Sequence, residues 1–225
     1  MPALEEIIST LLRDVVNPNA AEDRHFPEFR YFDWFAGHSY SHGIHAMRDG
    51  KDQESTSEET NFFYGMFLWA KVSHEHSLAH LAELMMKVNR RAIQTYFLIE
   101  RESVIHPVEF RDNRVTGIFF DNKVHYGTWF SAERHCIHGI QMIPITPVSR
   151  LVRTQKFVRE EWEDVLQYLP IVAQPDYEPN PWQSLLYTNY ATLNPRAALE
   201  KLRHVPMDDG LSRAWAMYMA ASYEE

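Results

Sequence analysis

The chain has 225 residues and a mass of 26.5 kDa, 45% of them apolar, enough for one large domain with a real core. Its 22 Lys and Arg against 31 Asp and Glu give a formal charge of −9, which argues against nucleic-acid partners. Cys136 is the only cysteine, which excludes an intrachain disulfide and a thiolate-rich zinc site, and the longest apolar run, Phe62 to Ala70, is far short of a membrane span. The acidic, amphipathic start MPALEEIISTLLRD is unlike a secretory signal, so no export address is expected in this chain.

Ala3 to Val16 reads as a helix, with Leu4, Ile7, Ile8, Leu11, Leu12 and Val15 recurring at three and four and Asn17-Pro18-Asn19 stopping it. Residues 20 to 53 read as a long irregular stretch dense in aromatics, His and Gly. Ser55 to Trp69 is expected to be helical, and Ser77 to Glu100 a second helix burying Leu78, Leu81, Leu84, Met85, Val88, Ala92 and Tyr96. Val115 to Phe120 and Lys123 to Tyr126 read as strands joined by a turn at Asp121-Asn122. Ser149 to Tyr168 reads as one helix and Tyr177 to Trp182 as a loop. Pro195, at a first helical turn, should open a helix over Arg196 to His204 with Asn194 as its cap, and Leu211 to Ser222 is the last. Successive helices with a minor β element argue helix-on-helix packing in one domain, or one piece of one.

The chemistry-bearing segment is Asp49 to Asn61, DGKDQESTSEETN. On a helix from about Glu54, the side chains of Glu54, Glu58 and Asn61 share a face, and Gly65 leaves space along it. Paired carboxylates beside a groove suit acid/base work on a sugar bond. The competing reading is a capping box, Ser55-x-x-Glu58, with acidic residues in the first turn placed there by the helix dipole. Histidines cluster as His38, His42, His45 and as His74, His76, His80. His38/His42 or His76/His80 have the spacing to share a helix face and bind zinc, but no HExxH frame exists, and no metal is expected. Gly37 and Gly43 around His38 permit close approach of a ligand. Tyr31, Phe32, Trp34, Phe35 and Tyr40 crowd upstream; such rings suit the axial C–H faces of a sugar, although most aromatics are core.

RYFDWFAGHSYSHGI at Arg30 to Ile44 and the DGKDQESTSE string resemble glycoside hydrolase family 81, as do Leu11 to Arg30 and YGTWFSAERHCIHGIQMIPITPVS at Tyr126 to Ser149. The resemblance runs from about Leu11 to the C-terminus. It implies inverting endo-hydrolysis of β-1,3-glucan, such as laminarin, callose or fungal wall glucan, without cofactors. It implies a mainly α fold: residues 1–225 as the C-terminal part of an (α/α)6 catalytic domain, an incomplete toroid with a minor β-hairpin. The N-terminal β-sandwich and first barrel helices are expected to be absent. The family's paired glutamates map onto Glu54 and Glu58, one of them the general base. Lys51, Gln53, Asn61, His38, Trp129 and His138 are expected to line or help form the sugar groove. The family's general-acid aspartate stands in a YxDHHFHYG-type motif that this sequence lacks; Asp14, Asp23 and Asp33 lack that setting. Three expectations stay open: a hydrolase lacking its acid, a non-catalytic glucan-binding protein, and an inert fragment. Open barrel faces are expected to favour self-association, and the resemblance points to extracellular or cell-wall surroundings.

Overall fold

The computed structural model describes residues 2–41 and 46–224. Helix α1 (Pro2–Val15) ends where the buried Asn17 side chain donates to the carbonyls of Asp23 and Phe26, both at 2.9 Å. Only half of its apolar stripe is covered: Leu12 and Val15 pack inward, whereas Leu4, Ile7 and Leu11 stay exposed. The irregular stretch that follows holds three two-residue strands. β1 (Phe32–Asp33) and β2 (His38–Ser39) form an antiparallel hairpin. The Asp33 carboxylate accepts from the Phe35 and Ala36 amides, and Gly37 at φ 77° completes the turn.

β3 (Asp52–Gln53) leads into α2 (Thr56–Val72), which packs along α3 (His76–Ala92) as the main helical pair. Their interface buries Phe63, Met66, Ala82 and Met85, each fully buried large side chain contributing about 1.5–3 kcal/mol. The buried stripe of α3 is Ala79, Ala82, Met85, Asn89 and Ala92; Leu84 is exposed, and Leu78, Leu81 and Val88 only flank the seam. The expected single helix to Glu100 is shorter, because α3 passes into a π-helical turn, Ile93–Phe97, and Leu98 is extended and bridged to Val115.

After α4 (Val108–Arg111), β4 (Ile118–Phe120) and β5 (Val124–His125) form the expected hairpin. β3 adds to it in antiparallel register, Asp52 opposite Phe120 and Gln53 opposite Phe119. Gly117 is obligatory there: a Cβ would lie 1.9 Å from the Gly127 carbonyl oxygen.

The rest is helical: α5 (Arg134–Gly139), α6 (Ser149–Val152), α7 (Gln155–Asp164), α8 (Pro170–Ala173), α9 (Trp182–Tyr190), α10 (Pro195–Leu202) and α11 (Arg213–Ala221). Residues 149–168 are three pieces, not one helix. Arg153 takes a non-helical ψ of 88°, Thr154 caps the Phe157 amide at 3.1 Å, and Val165 breaks the chain again before a 3₁₀ turn at Leu166–Tyr168. Asn194 caps α10 as expected, accepting from Ala197 N at 3.0 Å. The C-terminal helices share one core around Leu166, Leu186, Leu202 and Met219. The chain is mainly α with a small sheet.

Candidate functional site

The site is the entry into α2 and what fastens it. Gly50 at φ 81° turns the chain against Asp121, where a Cβ would meet the Asp121 Cβ at 2.7 Å. Asp121 Oδ2 accepts from Lys51 N at 2.7 Å. β3 then delivers Glu54 to the start of the helix. Gln141, buried at 2% exposure just beyond α5, clamps this step. Its Nε2 donates to the Glu54 and Gly117 carbonyls, and its Oε1 accepts from Thr56 Oγ1 at 2.6 Å.

Ser55 is the N-cap by position, yet its hydroxyl makes no capping bond and donates to Ile140 O at 3.2 Å. The capping-box reading therefore fails: the Ser55 oxygen accepts no amide of the first turn of α2, and its proton goes to Ile140. Ser57 donates to Ile140 O at 3.0 Å and to Ile143 O, and Asn61 Nδ2 donates to Pro144 O at 3.0 Å. Thr146 Oγ1 occupies the Asn61 carbonyl oxygen at 2.7 Å. One face of α2 is thus sewn to residues 140–146.

Glu58 is exposed on the wall shared by two cavities. One, about 340 Å³, is lined among others by Tyr31, Tyr40, Gln53, Glu59 and Phe62. The other, about 300 Å³, is lined among others by Pro144, Asp208 and Trp215. Gly65, one turn past Asn61, has open space where a Cβ would stand. Glu54 Oε1 accepts from Trp129 N at 2.8 Å, and the Trp129 indole, 53% exposed, donates to Asp52 Oδ1 at 3.3 Å. Beside it the exposed Phe130 stacks on Trp182. Lys51 lies with Nζ 4.3 Å from the Tyr40 ring centroid, and burial together with Asp121 pushes the Tyr40 hydroxyl up to about 12.

The structure brings Glu54, Glu58, Gln53 and Trp129 into one region and presents Glu58 and Trp129 to solvent. Other expected groove residues are committed elsewhere. His38 is 2% exposed, its Nδ1 2.8 Å from Ser39 O and its ring against Tyr40, Phe97 and Phe119; burial lowers its pKa. It braces the hairpin and is not offered to a ligand. His138 is fully buried, Nδ1 bonded to Glu161 Oε1 at 2.8 Å and Nε2 to Tyr126 OH at 3.0 Å. Burial holds it neutral, so this contact is a hydrogen bond and not an ion pair. Arg153 donates to Glu161, to Asn189 Oδ1 at 2.9 Å and to Gln141 O at 3.3 Å, so His138 supports the clamp from behind.

His42, Gly43 and His45 lie outside the described residues, and His76 and His80 are exposed on the first turns of α3. Among the described residues no three His, Cys, Asp or Glu side chains converge on a metal position. One residue of the site was not anticipated. Glu59, buried at 8% exposure, accepts from Ser39 N and from Gln53 Nε2 at 3.1 Å, and burial raises its pKa to about 7. The signal was in the spacing: Thr56, Glu59, Thr60, Phe63, Met66 and Ala70 form the buried face of α2.

Residues 1–217 match the model of the glycosyl hydrolase family 81 C-terminal domain. The chain belongs to glycoside hydrolase family 81. This family 81 chain is 37% identical over 221 residues to glucan endo-1,3-beta-D-glucosidase 2 of Saccharomyces cerevisiae, covering 96% of the chain and 28% of the relative. It is likewise 37% identical to the primary septum glucan endo-1,3-beta-D-glucosidase of Schizosaccharomyces pombe, covering 96% of the chain and 21% of the relative. It thus spans under a third of either relative. The solved structure of a glycoside hydrolase family 81 protein from Clostridium thermocellum, a glutamate-to-alanine mutant, superposes with a TM-score of 0.84 over 96% of this chain and 29% of that one. At 22% identity that likeness establishes the fold, of (α/α) type.

Proposed function

We propose that this chain supplies the base side of an inverting endo-β-1,3-glucanase groove. One observation carries the reading: Glu58 stands where two cavities meet, with Glu54 four residues before it under the exposed Trp129. Tyr31 in one cavity and Trp215 in the other offer flat faces to pyranose rings. The relatives' names support β-1,3-glucan as the polymer.

In the inverting step a carboxylate takes a proton from water and the water oxygen bonds to the anomeric carbon. The bond from that carbon to the leaving oxygen breaks as an acid protonates the oxygen. Glu54 or Glu58 is the base, and the other binds sugar or tunes its neighbour. The acid is proposed to come from outside these 225 residues. Asp14 is paired with Arg30 at 2.5 Å, Asp23 with Arg13 at 3.2 Å, and Asp33 is spent on its own turn. Lys51 and Gln53 are proposed to shape the groove wall, and Asn61 to hold it in place.

Laminarihexaose cleavage followed by proton NMR tests the stereochemistry: the α-anomer is expected first, and the β-anomer first refutes inversion. Glu54→Gln and Glu58→Gln, made in protein that carries the acid, identify the base by a rate loss of about 10²–10⁴. Wild-type turnover in both removes the pair from the chemistry. Binding without cleavage, acid included, favours a glucan-binding protein instead.

A further inference from the structure

The QESTSEE string holds three glutamates, and the third is the buried one. Both Glu59 oxygens accept: Oε1 from the Ser39 amide of β2, Oε2 from Gln53 Nε2 at 3.1 Å. The side chain of Asn89 on α3 also bonds to it. The Ser39 side chain bonds to it as well, and all of these partners are neutral N–H or O–H donors. The contacts continue beyond Gln53. Its Oε1 accepts from Ser41 Oγ at 2.7 Å, and Ser41 Oγ accepts from the Glu54 amide at 3.2 Å.

The polarity of this chain is uniform. Glu54 N–H donates to Ser41, Ser41 O–H to Gln53, and Gln53 N–H to Glu59, so every donor points toward the buried carboxylate. An ionised carboxylate only accepts, so it fixes which end of the Gln53 amide faces it. That choice turns the Gln53 carbonyl toward Ser41, commits the Ser41 proton, and leaves a Ser41 lone pair for Glu54. The opposite side of the Glu54 backbone, its carbonyl, is held by Gln141. The peptide carrying Glu54 is therefore gripped from both ends, and one grip terminates on Glu59.

We propose that Glu59 is a positioning residue for Glu54, acting through Gln53 and Ser41 to set the backbone from which the Glu54 carboxylate projects. This rests on the reading of the site as a glucan groove and adds to it a residue that need not touch sugar. Burial raises the Glu59 pKa to about 7, so both of its forms are populated near neutrality. Protonated, it gains an O–H donor that accommodates the reversed Gln53 amide and frees the relay.

The titratable groups around it are distinguishable. Glu58 lies on the same helix, and Tyr31 and Tyr40 line the same cavity. His38 lies on β2 and Asp52 on β3, while the α3 side chain bonded to Glu59 is the neutral Asn89. Tyr40 is pushed up to about 12 and His38 is held below 6.5.

The test is proton–nitrogen NMR of the full chain between pH 5 and 9. In the wild type the Ser39 and Glu54 amides are expected to shift with one shared midpoint near 7, and in Glu59→Gln neither does. Gln53→Met cuts the relay but keeps the carboxyl, so Ser39 should still titrate while Glu54 no longer does. A wild-type Glu54 amide indifferent to pH while Ser39 titrates overturns the proposal, as does a Glu54 amide that titrates unchanged in Gln53→Met. If Glu59→Gln does not fold, the wild type and Gln53→Met still decide. Laminarihexaose binding by the wild type is measured separately; its absence sinks the groove reading and leaves the relay standing.

Discussion

Replacing Glu161 with Gln should cost the chain a large part of its stability. The Glu161 and His138 side chains are 0% exposed and Arg153 is 5% exposed. Burial pushes the Glu161 carboxyl up, but Arg153 and His138 outweigh it and hold it below its ordinary value. Gln keeps the shape and removes the charge. Its single carbonyl oxygen must then serve two donors, Arg153 Nη2 and His138 Nδ1–H, while its own NH₂ faces one of them. Leaving a buried guanidinium without its anion costs about 3–5 kcal/mol. Stabilities of ordinary domains are about 5–15 kcal/mol, so the urea midpoint, followed by Trp fluorescence, should fall steeply. The sign with pH follows from the lowered carboxyl. Its contribution is complete above 4.5 and fades as pH falls toward the folded value, so wild type and variant converge in acid. A loss under about 1 kcal/mol at pH 7 refutes the view that this pair anchors the clamp behind Gln141.

Gly117→Ala places a methyl against the Gly127 carbonyl and should cost at least about 3 kcal/mol or prevent folding; an unchanged melting temperature contradicts the β4–β5 packing. Trp129→Ala should weaken laminarihexaose binding several-fold, about 1 kcal/mol, with the circular dichroism unchanged; equal affinity removes Trp129 from the groove. Glu59 acts on stability with the opposite sign to Glu161. Its carboxyl rises from 4.5 to about 7 on folding, so its contribution is complete below 4.5 and is lost as pH rises to about 7. The change is on the order of 3 kcal/mol, and Glu59→Gln should flatten it in urea titrations at pH 5 and pH 8. An identical slope in the variant refutes the burial argument.

Local patterns made α1, α2, the β4–β5 hairpin and the Asn194 cap legible, because each depends on near neighbours in sequence. The breaks were not legible because their causes are distant. Arg153 leaves the helical region where its guanidinium reaches Glu161, Asn189 and the Gln141 carbonyl. Leu84 fits the apolar period of α3 yet faces outward, since α2 packs against the adjacent stripe of Ala79, Ala82 and Met85.

At the site, Glu54 and Glu58 stood out by residue type and spacing. The capping alternative matched the same spacing, but Ser55 accepts no first-turn amide and its hydroxyl is turned to the Ile140 carbonyl, 85 residues away in sequence. His138 was expected to help form the groove because it belongs to the family-like block from Tyr126 to Ser149; its burial against Glu161 is a tertiary fact. Glu59 was readable from the buried period of α2, but a carboxylate on an apolar face draws notice only once its donors, Ser39 and Gln53, are in view.

The polymer proposed for the face around Glu54 and Glu58 is β-1,3-linked glucan. Calorimetric titration of the chain with laminarihexaose, cellohexaose and maltohexaose under one buffer tests it most directly. Heat and saturation are expected with laminarihexaose, lost or weakened on Trp129→Ala, and none with the other two. Equal affinity for all three, or a preference for cellohexaose, contradicts it.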